Sequence, residues 1–221
     1  MTGATVLLLS AVLLSTGARL PLVEHPAGSP AKPYFALLLT GDGGWRAVDA
    51  GITRELNRHG VSVVGLLSDD YFDDAKTPEQ VGGDVRSVID AYAAHWKKTK
   101  VLLIGFSRGA DALPIALAHM DASTRQRVVL AALLGPSTTA ELQVSRFWRF
   151  REVPLIALAP VVRSLHDVVP FVCVHGEDED DSLCDVLPGS IPEVKMRGGH
   201  HFSGDYGEVA RAVLAAVPET R

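Results

Sequence analysis

Val101-Leu102-Leu103-Ile104-Gly105-Phe106-Ser107-Arg108-Gly109-Ala110-Asp111 is the stretch that decides the fold of this chain. Val101 to Ile104 is an unbroken apolar run and reads as a strand buried on both faces. Ala110 to Met120 reads as a helix. Between them lies Gly105-Phe106-Ser107-Arg108-Gly109, a G-x-S-x-G turn. Strand, G-x-S-x-G and helix in that order form the setting of a nucleophile elbow. A serine on so sharp a turn takes a strained backbone conformation. The residues two places to either side must then be tiny, because strand and helix pass close by. Gly105 and Gly109 meet that demand. The turn is expected to lift the Ser107 hydroxyl to the positive end of the new helix, where a developing oxyanion is stabilised. An idle serine on a glycine-rich turn is the bland alternative, and the flanking strand and helix speak against it.

Working outward, apolar runs alternate with helical patterns. Strands are expected at Tyr34–Thr40, Val61–Leu67, Val128–Leu134, Phe171–His175 and Pro192–Arg197. Helices are expected over Ala47–His59, from Thr77 to about Lys98, and over Asp205–Val217. Thr77, Pro78 and Gln80 supply an N-cap, a first-position proline and a capping box. Pro114 is expected to kink or break the helix after the elbow. Leu20 to Pro33 is proline-rich and reads as an irregular lead-in. Residues 137–169 are long for a connection and carry Phe147-Trp148-Arg149-Phe150-Arg151. They read equally as a lid over the site or as a crossover helix with a surface loop. The alternation predicts an α/β fold, a doubly wound and mostly parallel sheet of the α/β-hydrolase kind.

The chain has 221 residues, enough for one α/β domain, and a net charge of −5. With no basic tract, nucleic acid is not an expected partner. Residues 4–18 form an uncharged apolar run ending in Thr16-Gly17-Ala18, which reads as a cleaved signal peptide over residues 1–18. The domain then covers residues 19–221, and the mature protein is expected to be exported. Cys173 and Cys184 are the only cysteines, and in an exported protein they suggest one disulfide. Two cysteines cannot make a structural zinc site alone. The acidic run near them lacks the alternation of a calcium loop, and no G-x-x-x-x-G-K-[ST] occurs. No metal and no cofactor is expected.

A serine nucleophile needs a base, and the base needs an orienting acid. In this fold they follow the serine in the order acid, then histidine. Of the eight histidines, only His200 and His201 follow the last expected strand, on a loop opened by Gly198-Gly199. His200 is taken as the base, with His201 second. The acid is expected in the loop after Phe171–His175, where Glu177-Asp178-Glu179-Asp180-Asp181 leaves several choices. Spacing from Gly176 points to Glu179, and counting back from Cys184 points to Asp180 or Asp181. Asp180 is taken. Gly41-Asp42-Gly43-Gly44-Trp45 reads as the second arm of an oxyanion hole, with the N–H of Asp42 or Gly43 joining that of Arg108. Asp111 either supports the elbow or complements the helix dipole.

Several stretches together resemble the bacterial virulence protein family VirJ/AcvB. They are Gly41-Asp42-Gly43-Gly44-Trp45, Tyr71-Phe72 with Thr77-Pro78-Glu79, the elbow with Ala110-Asp111 and Leu113-Pro114, Asp181-Ser182-Leu183-Cys184, and Gly198-Gly199-His200-His201-Phe202 with Gly204-Asp205-Tyr206. The likeness runs from about Tyr34 to Leu214. It departs at Arg108 and in the acidic Gly176–Asp181 loop. The resemblance implies a periplasmic protein linked to virulence and type IV secretion. It also implies a serine hydrolase for an acyl or aminoacyl ester at a membrane surface, such as lysyl-phosphatidylglycerol. The alternative it carries is a non-catalytic scaffold that binds type IV secretion components or exported proteins.

Overall fold

A computed structural model describes residues 19–29, 31–143 and 154–218. The segment read as a signal peptide, residues 1–18, and the aromatic stretch of the expected lid, within residues 144–153, lie outside them.

In chain order the first elements are β1 (Leu22–His25), β2 (Tyr34–Leu39), α1 (Ala47–Arg58), β3 (Val63–Leu66), the single turn α2 (Ser68–Tyr71) and α3 (Pro78–Trp96). Then come β4 (Lys100–Phe106), α4 (Arg108–Ala118), the short α5 (Ala122–Arg125) and β5 (Val128–Leu134). The last part holds β6 (Thr139–Ala140), β7 (Ile156–Ala157), α6 (Leu158–Leu165), β8 (Phe171–Gly176), β9 (Glu193–Met196) and α7 (Tyr206–Ala216). One seven-stranded sheet runs β1-β3-β2-β4-β5-β8-β9, and β6 and β7 form a separate small hairpin. Within the large sheet only β1 pairs antiparallel.

The central strands are apolar because both faces are covered. All six residues of β2 are buried. Along β4 the side chains alternate. Val101 and Leu103 pack in one core with residues of α3, α4 and α6. Leu102, Ile104 and Phe106 pack in the other with residues of α1 and α7. Full burial of one such aliphatic side chain contributes roughly 1.5–3 kcal/mol, so a polar residue in this run would undo the layer arrangement. The strand order reverses between β2 and β4, and the crevice beyond such a switch point is where α/β sheets bind ligands. The Gly41–Trp45 loop leaves β2 there, and the Ser107 turn leaves β4 beside it.

Two expectations need correction. The lead-in is not irregular throughout. Leu22–His25 pairs with Val63–Leu66 as an edge strand. Pro21 and Pro26 stand just outside it, and edge strands tolerate proline because one side of the ladder is unpaired. Nor does Pro114 end its helix, since α4 continues through it to Ala118. Pro114 and the residues around it, Ala112 to Leu117, are buried. That burial offsets the roughly 3 kcal/mol that proline costs a helix interior. By contrast the start of α3 is as expected: the Thr77 side chain accepts from the Gln80 N–H at 3.3 Å, and the Gln80 side chain accepts from the Thr77 N–H at 2.8 Å. Within residues 137–169 the described parts are the β6–β7 hairpin and α6, whose Leu158, Val162 and Leu165 join the core.

Candidate active site

Ser107 stands at φ 53°, ψ −121°, a conformation a non-glycine residue holds only when its surroundings over-determine it. The surroundings are backbone. A Cβ added at Gly105 would lie 2.4 Å from the carbonyl oxygen of Gly109, and one at Gly109 would lie 2.1 Å from that of Leu39. Any side chain at either position would push α4 off the sheet. The Ser107 N–H donates to the Leu134 carbonyl at 2.9 Å, tying the turn to β5. Asp111 N–H donates to the Ser107 carbonyl at 3.0 Å, the first bond of α4. Ser107 thus sits at the helix N-terminus, where the backbone N–H groups are free for an anion.

The loop after β2 runs against this turn. A Cβ on Gly41 would be 3.2 Å from the Ser107 Cβ. Gly43 and Gly44 follow at φ 90° and 74°, values that favour glycine. The Arg108 guanidinium is ion-paired with Asp42 through Nε, with Nη2 at 3.4 Å from the second carboxylate oxygen. Its Nη1 donates to the Glu141 carbonyl at 3.2 Å. Arg108 therefore joins the elbow to the loop that carries Asp42 and Gly43. The expected role of all three was through backbone N–H groups, and the side-chain tie is an addition. It spans 66 residues, so no local pattern announces it.

His200 follows β9 and carries a carboxylate partner. Its Nδ1 lies 2.5 Å from Oε1 of Glu179. With Nδ1–H donating to that oxygen, Nε2 is the ring nitrogen left to accept a proton. The other oxygen, Oε2, accepts from the Gly176 N–H at 2.7 Å. Both oxygens are thus held, and the Glu179 side chain is only 15% exposed. The ring of His200 packs 5.2 Å from that of Phe106, the residue before Ser107. From the other side it meets the backbone of Gly135, where a Cβ would be 2.9 Å from Nδ1 and Cε1.

The acid taken from the sequence, Asp180, is not at this position. It is exposed, as is Asp181, which stands at φ 60°. The reason is a turn. Glu179 N–H donates to the Gly176 carbonyl at 3.1 Å, which folds the chain so that the third residue after the glycine points back at the sheet edge. Its neighbours then point away. The spacing from Gly176 was the signal that located this carboxylate. Cys173 and Cys184 are bonded as expected, with Cα atoms 5.5 Å apart, and close the loop that holds Glu179. His201 lies at the surface 5.8 Å from the Phe106 ring, and has no carboxylate partner among the described residues.

Asp111 accepts from the Ser137 N–H at 2.7 Å. It thereby holds the loop after β5, whose Gly135 backs the His200 ring. Burial pushes its carboxyl up to about 6, opposed by the hydrogen bonds from Ser137 and then by the charges of Arg108 and His200. Of the described residues that could hold a metal ion, His175, Asp185 and Glu193 bring ligand atoms within 4.8 Å of one another. The Lys195 ammonium is already there, 3.3 Å from Glu193 and 4.0 Å from Asp185, and Glu193 accepts from His175 at 2.8 Å. Asp185 and Glu193 are thus engaged in an ion-pair network with Lys195, while His175 Nδ1 is buried without a hydrogen-bond partner.

Residues 33–221 match the family model described as bacterial virulence protein (VirJ). The chain belongs to the VirJ family. No curated protein matches this VirJ-family chain. Among solved structures it is similar to the esterase domain of a Rhodothermus marinus protein, at 15% identity and TM-score 0.65 over 91% of this chain and 93% of that one. It is also similar to an alpha-beta serine hydrolase homologue from Coxiella burnetii, at 16% identity and TM-score 0.64 over 97% and 100%. A third likeness is to a Xanthomonas campestris a/b serine hydrolase described as lacking a lid, at 17% identity and TM-score 0.59 over 96% and 95%. At these identities the likeness establishes the α/β-hydrolase fold for the VirJ chain.

Proposed function

We propose that this VirJ-family protein is an exported serine hydrolase that cleaves an acyl or aminoacyl ester. The observation that carries the reading is the Glu179–His200 pair, 2.5 Å apart, packed on Phe106, the residue before a serine held at φ 53° on an elbow. A bare scaffold needs neither the backbone strain at Ser107 nor a carboxylate held by two hydrogen bonds. In this reading His200 Nε2 takes the Ser107 hydroxyl proton while Oγ attacks the ester carbonyl. The N–H groups of Arg108 and of Asp42 or Gly43 stabilise the resulting oxyanion. Collapse expels the alcohol, which receives the proton from His200 and leaves an acyl-Ser107. A water deprotonated by His200 then releases the acid and restores the serine. Glu179 orients the imidazole and stabilises its charged form. No cofactor is required.

The substrate we propose is a lipid, lysyl-phosphatidylglycerol or a related aminoacyl ester, met at the membrane surface in the periplasm. The disulfide supports an oxidising compartment. Membership of a virulence family supports a link to type IV secretion, whose components are the proposed partners. The test is purified protein with vesicles containing lysyl-phosphatidylglycerol, followed by release of free lysine. Wild type should release lysine and Ser107→Ala should not, a loss on the order of 10⁶-fold. Equal release by the two, or none by either, would end the lipid hydrolase reading.

A further inference from the structure

A cleft of about 290 Å³ opens beside the nucleophile. Gly41, Asp42 and Gly44 of the oxyanion loop form one wall, and Phe106, His201 and Tyr206 form the other. Gly41 packs on the Ser107 Cβ and Phe106 precedes Ser107 in sequence, so the cleft lies next to the elbow. Its size is at the low end for ligand sites, suited to one short group rather than a long acyl chain.

Asp49 also lines this cleft, and it is 1% exposed. Its Oδ2 accepts from the Arg46 N–H at 2.8 Å and so caps α1. Its Oδ1 is buried with no hydrogen-bond partner. Among the described residues no Lys, Arg or His forms an ion pair with it. Arg46 also lines the cleft, but its guanidinium lies against Gly43, where a Cβ would be 2.9 Å from Nη2. Burial raises the Asp49 carboxyl to about 6, against the Arg46 hydrogen bond, which lowers it. At neutral pH the group is therefore mostly ionised. A buried charge with a spare oxygen is expensive unless something pairs with it. Asp49 stands at the third position of α1, where the helix N-terminus favours a negative charge, but that position leaves Oδ1 without a donor.

We propose that Asp49 determines specificity by receiving a primary ammonium carried on the acyl group of the substrate. This rests on the hydrolase reading of Ser107. The ammonium would supply the donor that Oδ1 lacks. The volume of about 290 Å³ limits the group to a short one.

The experiment compares kcat/KM for lysine ethyl ester, norleucine ethyl ester and ethyl hexanoate. The three share a six-carbon acyl chain and carry two, one and no amines. In wild type at least one amine-bearing ester should be favoured over ethyl hexanoate. In Asp49→Asn that preference should fall about 10- to 100-fold, the size of a hydrogen bond to a charged group. Asparagine can still accept the Arg46 N–H, so the helix cap is kept. A preference unchanged in Asp49→Asn, or absent from wild type, overturns the proposal and leaves the hydrolase reading standing. Binding of n-pentylammonium, read by calorimetric titration of wild type against 1-pentanol, needs neither turnover nor a folded variant. Saturable binding of the ammonium alone supports the site even if no ester is cleaved, in which case only the hydrolase reading falls. Equal or absent binding of both overturns the site.

Discussion

Two loops leave the same edge of the sheet, one after β4 and one after β8, and each delivers a residue to the site. They are specified in different ways. At the elbow, backbone atoms stand 2.1 and 2.4 Å from where side chains on Gly109 and Gly105 would begin, so only glycine fits. The position of Ser107 follows from sterics, and the amino-acid types announce it. In the Gly176–Asp181 loop the types announce nothing, since Glu177 to Asp181 are all acidic. What selects Glu179 is a turn that folds one carboxylate back onto the Gly176 N–H at 2.7 Å and His200 at 2.5 Å. A shift of one residue would present another acid. Steric exclusion is written in composition, whereas choice among equal charges is written in register.

That contrast can be broken most sharply by substitution within the acidic loop. Glu179→Gln should lower kcat/KM for ester hydrolysis by on the order of 10⁴-fold, the loss typical of a triad acid. Asp180→Asn should stay within about twofold of wild type, because the side chain is exposed. If Asp180→Asn were the crippled variant, the loop would adopt another register in the working enzyme and the contrast would collapse. A smaller effect concerns how the loop is held. The disulfide closes the segment around Glu179, whereas no covalent bridge closes the elbow. Replacing both cysteines with serine should reduce the unfolding free energy by about 2–3 kcal/mol, measured by denaturant titration. Hydrogen exchange should quicken in residues 176–185 and stay unchanged at the elbow. Equal quickening in the two loops would show that they are not independent.

The same contrast explains what the sequence made legible. The sheet, its central apolar strands and the elbow were readable because glycine contacts and two-sided burial constrain residue type. His200 was singled out because one glycine loop follows the last strand. The edge strand Leu22–His25 was missed because the flanking prolines masked a run of four residues. That α4 runs on through Pro114 was not legible, because local propensity says nothing of the burial around it. The Arg108–Asp42 tie and the unpartnered oxygen of Asp49 depend on which loops meet at the switch point. That knowledge comes only from the assembled fold.

The central claim is that Ser107 is a nucleophile activated by His200 and held ready by Glu179. The most direct measurement is labelling of the purified protein with a fluorophosphonate, with the adduct located by peptide mass spectrometry. The account predicts one adduct, on Ser107, formed in wild type and lost or strongly slowed in His200→Ala and Glu179→Gln. No adduct on wild type, an adduct on another residue, or labelling of Ser107 at the same rate in all three proteins would contradict it.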